Sequence, residues 1–218
     1  MIRRTAVALF ASALVLVPAL GRGAEVPSSR LTSTETAFVE KISADLSARF
    51  PTPEAAAKAG YLRYTDEDES GAISYANRHW TCADPAHPSQ LWFDAKNRLI
   101  GADYSVPADT PAPPELFGVT PARWKKFHAH VHYGLAGPGG TIYGGAGAKA
   151  MEKAGATVDA PTKDALVAAG IAKKTADVRF VFTFPAIWDL AVWVIPNAAG
   201  AFADKNPDVK PVNPPKAM

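Results

Sequence analysis

The chain is short of cysteine, of long apolar runs and of any excess of charge. Of its 218 residues only one is cysteine, Cys82, so no internal disulfide can form and stability must come from packing. Taken alone, Cys82 reads as a small buried residue, with an intermolecular bridge or a metal ligand as the other options. No segment carries the roughly 20 consecutive apolar residues of a spanning helix, which argues against stable membrane insertion of the mature chain. The formal charge is only +2, with signs mixed along the sequence. That balance speaks against nucleic-acid partners and against a basic membrane-docking surface. Two catalytic signatures are also missing, the G-x-S-x-G elbow and H-E-x-x-H. Histidine is scarce as well, at five residues, and its placement becomes the most informative feature.

What is present begins with MIRRTAVALFASALVLVPALG. Two arginines precede an apolar stretch from Ala6 to Val17, and small residues follow at Ala19 and Gly21. A positive start, a short apolar core and a small-x-small exit describe a secretory signal peptide over residues 1–21. Thr5-Ala6-Val7 fits twin-arginine export poorly, so general secretion to the periplasm or the exterior is expected. Removing Arg3 and Arg4 takes the formal charge of +2 to zero. The remaining residues, 22–218, are enough for one domain with its own core.

Helical signals come first. A capping pattern stands at Thr32 followed by Glu35, or at Ser33 with Thr34 close behind, and Phe38, Ile42, Leu46 and Phe50 recur on one helical face. Thr52-Pro53 opens a second helix that breaks near Gly60. Strand signals then take over: QLWFDAKNRLIGADYSV reads as two runs joined at Lys96-Asn97. PADTPAPPELFG is a proline-rich surface crossing. Thr120-Pro121 caps a short helix, ARWKK; KAMEKAG and PTKDALVAAG are further helical pieces. VRFVFTF and LAVWVIP, with Asp189 between them beside Trp188, read as paired strands, and the tail NPDVKPVNPPKAM as loosely held. The expected fold class is α+β: N-terminal helices, then a largely antiparallel β-sheet with short helical insertions, in a single domain.

Residues 127–135 read FHAHVHYGL, placing His128, His130 and His132 at every second position. Phe127, Ala129, Val131, Tyr133 and Leu135 alternate with them, and period two favours a strand over a helix. AGPGG then makes the turn of a hairpin that returns through Thr141-Ile142-Tyr143. On a strand, side chains two apart project from one face about 7 Å from each other. Imidazoles leaning inward from there can reach a shared ion about 2 Å from each nitrogen. The expectation is a transition-metal site, such as zinc or copper, with His130 and His132 as its core and His128 as third ligand or support. Further ligands would come from His79, Cys82, Asp84, His87 or Asp189. The competing readings are acid–base or anion-binding histidines without a metal, and purely structural ones.

DEDESGAISYAN, residues 66–77, resembles the calcium loop of the EF-hand family over twelve residues. Asp66, Asp68 and Ser70 stand at the first, third and fifth ligand positions, Gly71 at the sharp turn and Ser74 at the ninth. The resemblance implies weak calcium binding there. Asn77 replaces the terminal bidentate glutamate, and no partner loop follows; an acidic surface turn is the plainer reading. GAGAKA, residues 145–150, matches a dinucleotide pattern in letters only, because the helix and strand around it are too short.

Together these features describe an exported protein with a histidine-lined metal site on a strand. An open coordination position would suit a metal-dependent hydrolase or lyase; a closed one would suit metal carriage. The alternative is a non-catalytic periplasmic module that binds a small molecule or partner without a metal.

Overall fold

The structure, a computed structural model, describes residues 30–81, 83–137 and 140–212. The signal segment 1–21, Cys82 and the last six residues of the tail lie outside the described residues. The fold is α+β, with helices first and antiparallel sheets after them.

Helix α1 (Ser33–Arg49) starts where the capping box places it. Thr32 Oγ1 accepts from the Glu35 backbone N–H at 3.1 Å, and the Glu35 carboxylate accepts from the Thr32 N–H at 3.0 Å. Helix α2 (Pro53–Lys58) is capped by Thr52 and released at Gly60, whose φ of +90° suits glycine. Phe38, Ile42 and Leu46 bury the inner face of α1 against one sheet. That sheet has six antiparallel strands: β1 (Leu62–Arg63), β2 (Ile73–Ala76), β3 (Gln90–Phe93), β4 (Leu99–Pro107), β5 (Lys125–Phe127) and β9 (Ile187–Trp193). Their order across the sheet is β1-β2-β3-β4-β9-β5. On β4, alternation sends Ala102, Tyr104 and Val106 into the core shared with α1. Asp103 and Ser105 take the other face.

A second sheet, ordered β7-β6-β8, pairs β6 (His130–Gly137) with β7 (Gly140–Ala146) and β8 (Val178–Phe184). The expected hairpin is there, with Leu135 opposite Ile142 and Gly137 opposite Gly140. Val131 packs on α3 (Ala148–Lys153) and α4 (Lys163–Ala168) through Met151 and Leu166. His130, His132 and Gly134 face the opposite way.

Two expectations need correction. The stretch after Thr120-Pro121 is no helix beyond a single 3-10 turn at Pro121–Arg123; Lys125–Phe127 is already strand β5. VRFVFTF and LAVWVIP are both strands, but they do not pair with each other. β8 pairs with β6 in the small sheet and β9 with β4 and β5 in the large one.

The reason is a ribbon that bends. Phe127 pairs with Ile187 in the large sheet, and His130 pairs with Phe184 in the small one. Two residues separate the pairs on either strand, His128-Ala129 on one and Pro185-Ala186 on the other. Both strands therefore leave one sheet and enter the other at the same place, as strands do at the corners of packed sheets. Proline at 185 suits such a corner, since its missing N–H would interrupt a ladder.

The crossing at residues 108–120 is anchored to α1. Thr120 gives Glu35 Oε1 two hydrogen bonds, from its N–H at 3.2 Å and its hydroxyl at 2.5 Å, and Arg123 Nε gives a third at 3.2 Å. Further along, Asn206 Nδ2 donates to the Pro196 carbonyl, and the Val212 N–H donates to Glu67.

Candidate functional site

A cavity of about 330 Å³ opens in the angle of the bent ribbon, between the two sheets. Phe127, His130, Phe184 and Ile187, the residues flanking the bend, all line it. From the large sheet come Gln90, Asp103, Asp189 and Ala191; Lys125 and Arg123 stand at one side, and Tyr64 and His132 close another.

The bend decides what becomes of the three histidines. His130 and His132 lie on β6 and share a face, as period two requires. His128 falls in the corner before β6, its side chain exposed and its carbonyl turned toward His130. The structure thus brings His130 and His132 together and leaves His128 out. Among the described residues no group of three or more histidine, cysteine, aspartate or glutamate side chains is placed to hold a metal ion.

The two imidazoles are joined in a chain whose direction follows from their partners. His130 Nδ1 lies 2.9 Å from the His128 carbonyl, which can only accept, so that nitrogen carries the proton. With both rings neutral, His130 Nε2 then offers a lone pair. Its contact with His132 Nε2, at 2.8 Å, puts the second proton on His132 Nε2. That leaves His132 Nδ1 as acceptor for the Tyr143 hydroxyl at 2.5 Å. The order is Tyr143 O–H to His132, His132 N–H to His130, and His130 N–H to the His128 carbonyl. His132 is only 4% exposed; burial first, and the electrostatic influence of the neighbouring His130 ring second, push its pKa down to about 3. It stays neutral at any ordinary pH. Phe184 stacks on it at 4.4 Å and Tyr64 at 5.5 Å between ring centroids. Gly145 makes the second contact feasible, because a Cβ there would come within 2.7 Å of the Tyr64 hydroxyl.

Opposite the histidines sit two carboxyls. Asp103 pairs across the strands with Ala191, and Ser105 with Asp189, so the two aspartates are diagonal neighbours on one face. Trp92 Nε1 donates to Asp103 Oδ2 at 2.8 Å, and the Ser105 hydroxyl donates to Asp189 Oδ1 at 2.7 Å. Burial raises Asp103 well above the carboxylate range, and the neighbouring charge of Asp189 raises it further. Burial also raises Asp189, to about 6, against the pull of hydrogen bonds from Ser105 and Asp103 and of the Lys125 charge. Like charges this close cannot both ionise cheaply, so the pair shares a proton at neutral pH, held on the Asp103 side.

The other expected residues lie apart. Asp84 and His87 bond to each other at 2.7 Å, with His87 stacked on Trp80. Neither they nor His79 line the cavity. In the acidic turn, Asp66 pairs with Arg63 at 3.0 Å, while Asp68 Oδ1 accepts from the N–H and hydroxyl of Ser70 and from the Ala72 N–H. Asp68 thus folds its own turn, between two strands rather than two helices. The sequence reading missed Asp103, Tyr64, Gln90 and Tyr143. Of these only Asp103 carried a signal: a charge inside the otherwise apolar run LIGADYSV.

No family model, no curated protein and no solved structure matches the chain.

Proposed function

We propose that this is an exported protein that binds a small organic molecule in the cavity between its sheets, without requiring a metal. One observation carries the reading. A buried and a half-buried carboxyl that repel each other, Asp103 and Asp189, stand on the wall of an open, partly aromatic cavity, with no cationic partner bonded to either among the described residues. Such an arrangement opposes folding, and perturbed titratable groups gathered in one cleft mark functional sites more often than structural ones. The volume suits a ligand of modest size. Export rests on the signal-peptide pattern of residues 1–21.

Ligand-observed NMR against a library of small amines, alcohols, acids and amides tests the reading, with amide shifts mapped onto the chain. Binders are expected to shift Tyr64, Asp103, His130 and Phe184 together. Ala191→Leu, which places an isobutyl group in the cavity, is expected to abolish those shifts while the chain stays folded. A library with no binder, or shifts that map elsewhere, refutes it.

A transition metal such as zinc or copper is the second reading, favoured by one feature: the Nε2 atoms of His130 and His132 lie 2.8 Å apart on one face of the strand. An ion there would take the lone pairs now used by the proton between them, and Asp103 or Asp189 would have to move to complete the shell. Titration with zinc and copper separates the two readings. Stoichiometric uptake lost in His130→Ala and His132→Ala supports the metal; uptake that is absent, or unchanged in the variants, removes it. Calcium at Asp66, Asp68 and Ser70 has less support, since Asp68 Oδ1 is already committed to three donors.

A further inference from the structure

The charges lining the cavity do not balance. Arg123 is spoken for: its Nε lies 3.2 Å from Glu35, with the two side chains 7% and 0% exposed. The Lys125 ammonium pairs with the exposed Asp204, although its strand position is directly opposite Asp189. His132 is neutral, and the pair of rings satisfies itself through Tyr143 and the His128 carbonyl. What remains is the aspartate pair. Sharing one proton, it carries a single negative charge, held by the bond of that proton between the two carboxyls and by one neutral hydrogen bond each from Trp92 and Ser105. Asp68 adds a more distant negative charge and Lys125 a positive one.

Two further polar groups face the same space unused. Tyr64 and Gln90 are among the residues that line the cavity, and neither side chain is hydrogen-bonded among the described residues. Around them stand apolar surfaces: Phe184, Ile187 and, 48% exposed at the rim, Phe127. Charge, acceptors and aromatic walls thus converge on one kind of guest. An ammonium group has three donors and no acceptor. It would meet the spare lone pairs of both carboxyls and the Tyr64 or Gln90 oxygen, and aromatic faces favour a cation beside them. At about 30 Å³ for each water-sized group, the cavity of about 330 Å³ holds roughly ten non-hydrogen atoms.

We propose that the ligand is a small primary amine, bound as its ammonium ion against Asp103 and Asp189, with an aromatic or aliphatic body of a few carbons against Phe184, Ile187 and Phe127. This rests on the cavity being a small-molecule site and names the chemistry that site selects. Neutral isosteres lose the charge-assisted bonds, and carboxylates meet repulsion from the floor.

Three probes that share a phenylethyl body test it by calorimetry at pH 7.5: 2-phenylethylamine, 2-phenylethanol and 3-phenylpropionate. The amine is expected to bind at least tenfold more tightly than the alcohol, and the carboxylate not at all. The double variant Asp103→Asn/Asp189→Asn keeps the shape and removes the charge, so it should bring amine and alcohol within threefold of each other. Lys125→Met, which removes the competing cation, should tighten the amine. A circular-dichroism melt confirms that each variant is folded. An alcohol that binds as well as the amine, a carboxylate that binds best, or an amine preference that survives the double variant overturns the inference and leaves the small-molecule site standing. If none of the three binds, the inference also fails, and the wider library then decides whether the site itself survives.

Discussion

Replacing Tyr143 by phenylalanine deletes one oxygen and, with it, the only donor to His132 Nδ1 among the described residues. The imidazole is 4% exposed, so water does not readily take the vacated place. An exposed ring would simply move its proton to the other nitrogen. Here that escape is closed. With its proton on Nδ1, His132 would present a lone pair on Nε2 to the lone pair of His130 Nε2, 2.8 Å away. His130 would then have to turn over as well, and would lose its bond to the His128 carbonyl at 2.9 Å. Some acceptor is left bare in every arrangement. A buried polar group without its partner costs about 1–3 kcal/mol, and we expect Tyr143→Phe to fall near 2 kcal/mol. With a urea slope of about 1–3 kcal/mol per molar, the unfolding midpoint at pH 7.5 should drop by about 1 M. Tyr64→Phe is the internal control. Its hydroxyl makes no side-chain hydrogen bond among the described residues, so its removal should cost less than about 0.5 kcal/mol. Long-range ¹H–¹⁵N spectra of the parent protein should show His130 protonated at Nδ1 and His132 at Nε2. A Tyr143→Phe midpoint equal to the parent's, or a His132 protonated at Nδ1, refutes the chain of bonds as drawn.

The aspartate pair sets a pH trend of the opposite sense to most carboxylates. Burial raises Asp189 from 3.8 to about 6 and raises Asp103 in the same direction, so the stability they allow is complete below about pH 4 and declines as pH rises through 6. Asp103→Asn/Asp189→Asn should therefore stabilise the protein by about 2–3 kcal/mol at pH 7 and flatten the thermal midpoint between pH 4 and 7; a less stable double variant contradicts this. Glu35 runs the other way. Burial pushes it up, but Arg123, Thr120 and the Thr32 and Thr120 amides outweigh burial and hold it near 2. Its contribution, about 3 kcal/mol, is present above pH 4.5 and lost as pH falls toward 2. Glu35→Gln, which leaves the Arg123 guanidinium buried and unpaired, should cost about 3–5 kcal/mol in urea unfolding at pH 7; a loss below about 1 kcal/mol would show that the pair is idle. At Gly101 a Cβ would lie 2.1 Å from the Trp92 ring and 2.8 Å from the Val192 carbonyl. Gly101→Ala should cost at least about 2 kcal/mol and weaken the Trp92–Asp103 bond, seen as a shifted indole N–H resonance; an unshifted indole argues against that geometry.

Local elements were legible where one short stretch of chain determines them. The Thr32–Glu35 capping box, the Thr52-Pro53 start, the β3–β4 hairpin at Asn97 (φ +61°) and the β6–β7 hairpin all follow from neighbours within a few residues. The same holds for His130 and His132 sharing a face. What the sequence could not convey was which sheet each strand joins. Phe127 and His130 look like one continuous strand, because alternation carries straight through the corner, and nothing local marks His128-Ala129 as the crossing. The carboxyl pair was hidden for a related reason: Asp103 and Asp189 are far apart in the chain and become neighbours only through the β4–β9 register. Asp103 alone, a charge inside a buried strand, gave warning.

The corner at His128-Ala129 and Pro185-Ala186 also governs how a guest can enter. One ribbon forms part of both walls, and it is stitched to a further strand on each side, β4 in one sheet and β7 in the other. Spreading the walls would mean unbending both strands at once against those ladders, so the mouth does not gape like a pair of independent flaps. Admission falls instead to the rotamers of the rim, with Phe127 the half-exposed doorkeeper, and the size of what passes is limited by the swing of one benzyl group rather than by the breathing of the fold.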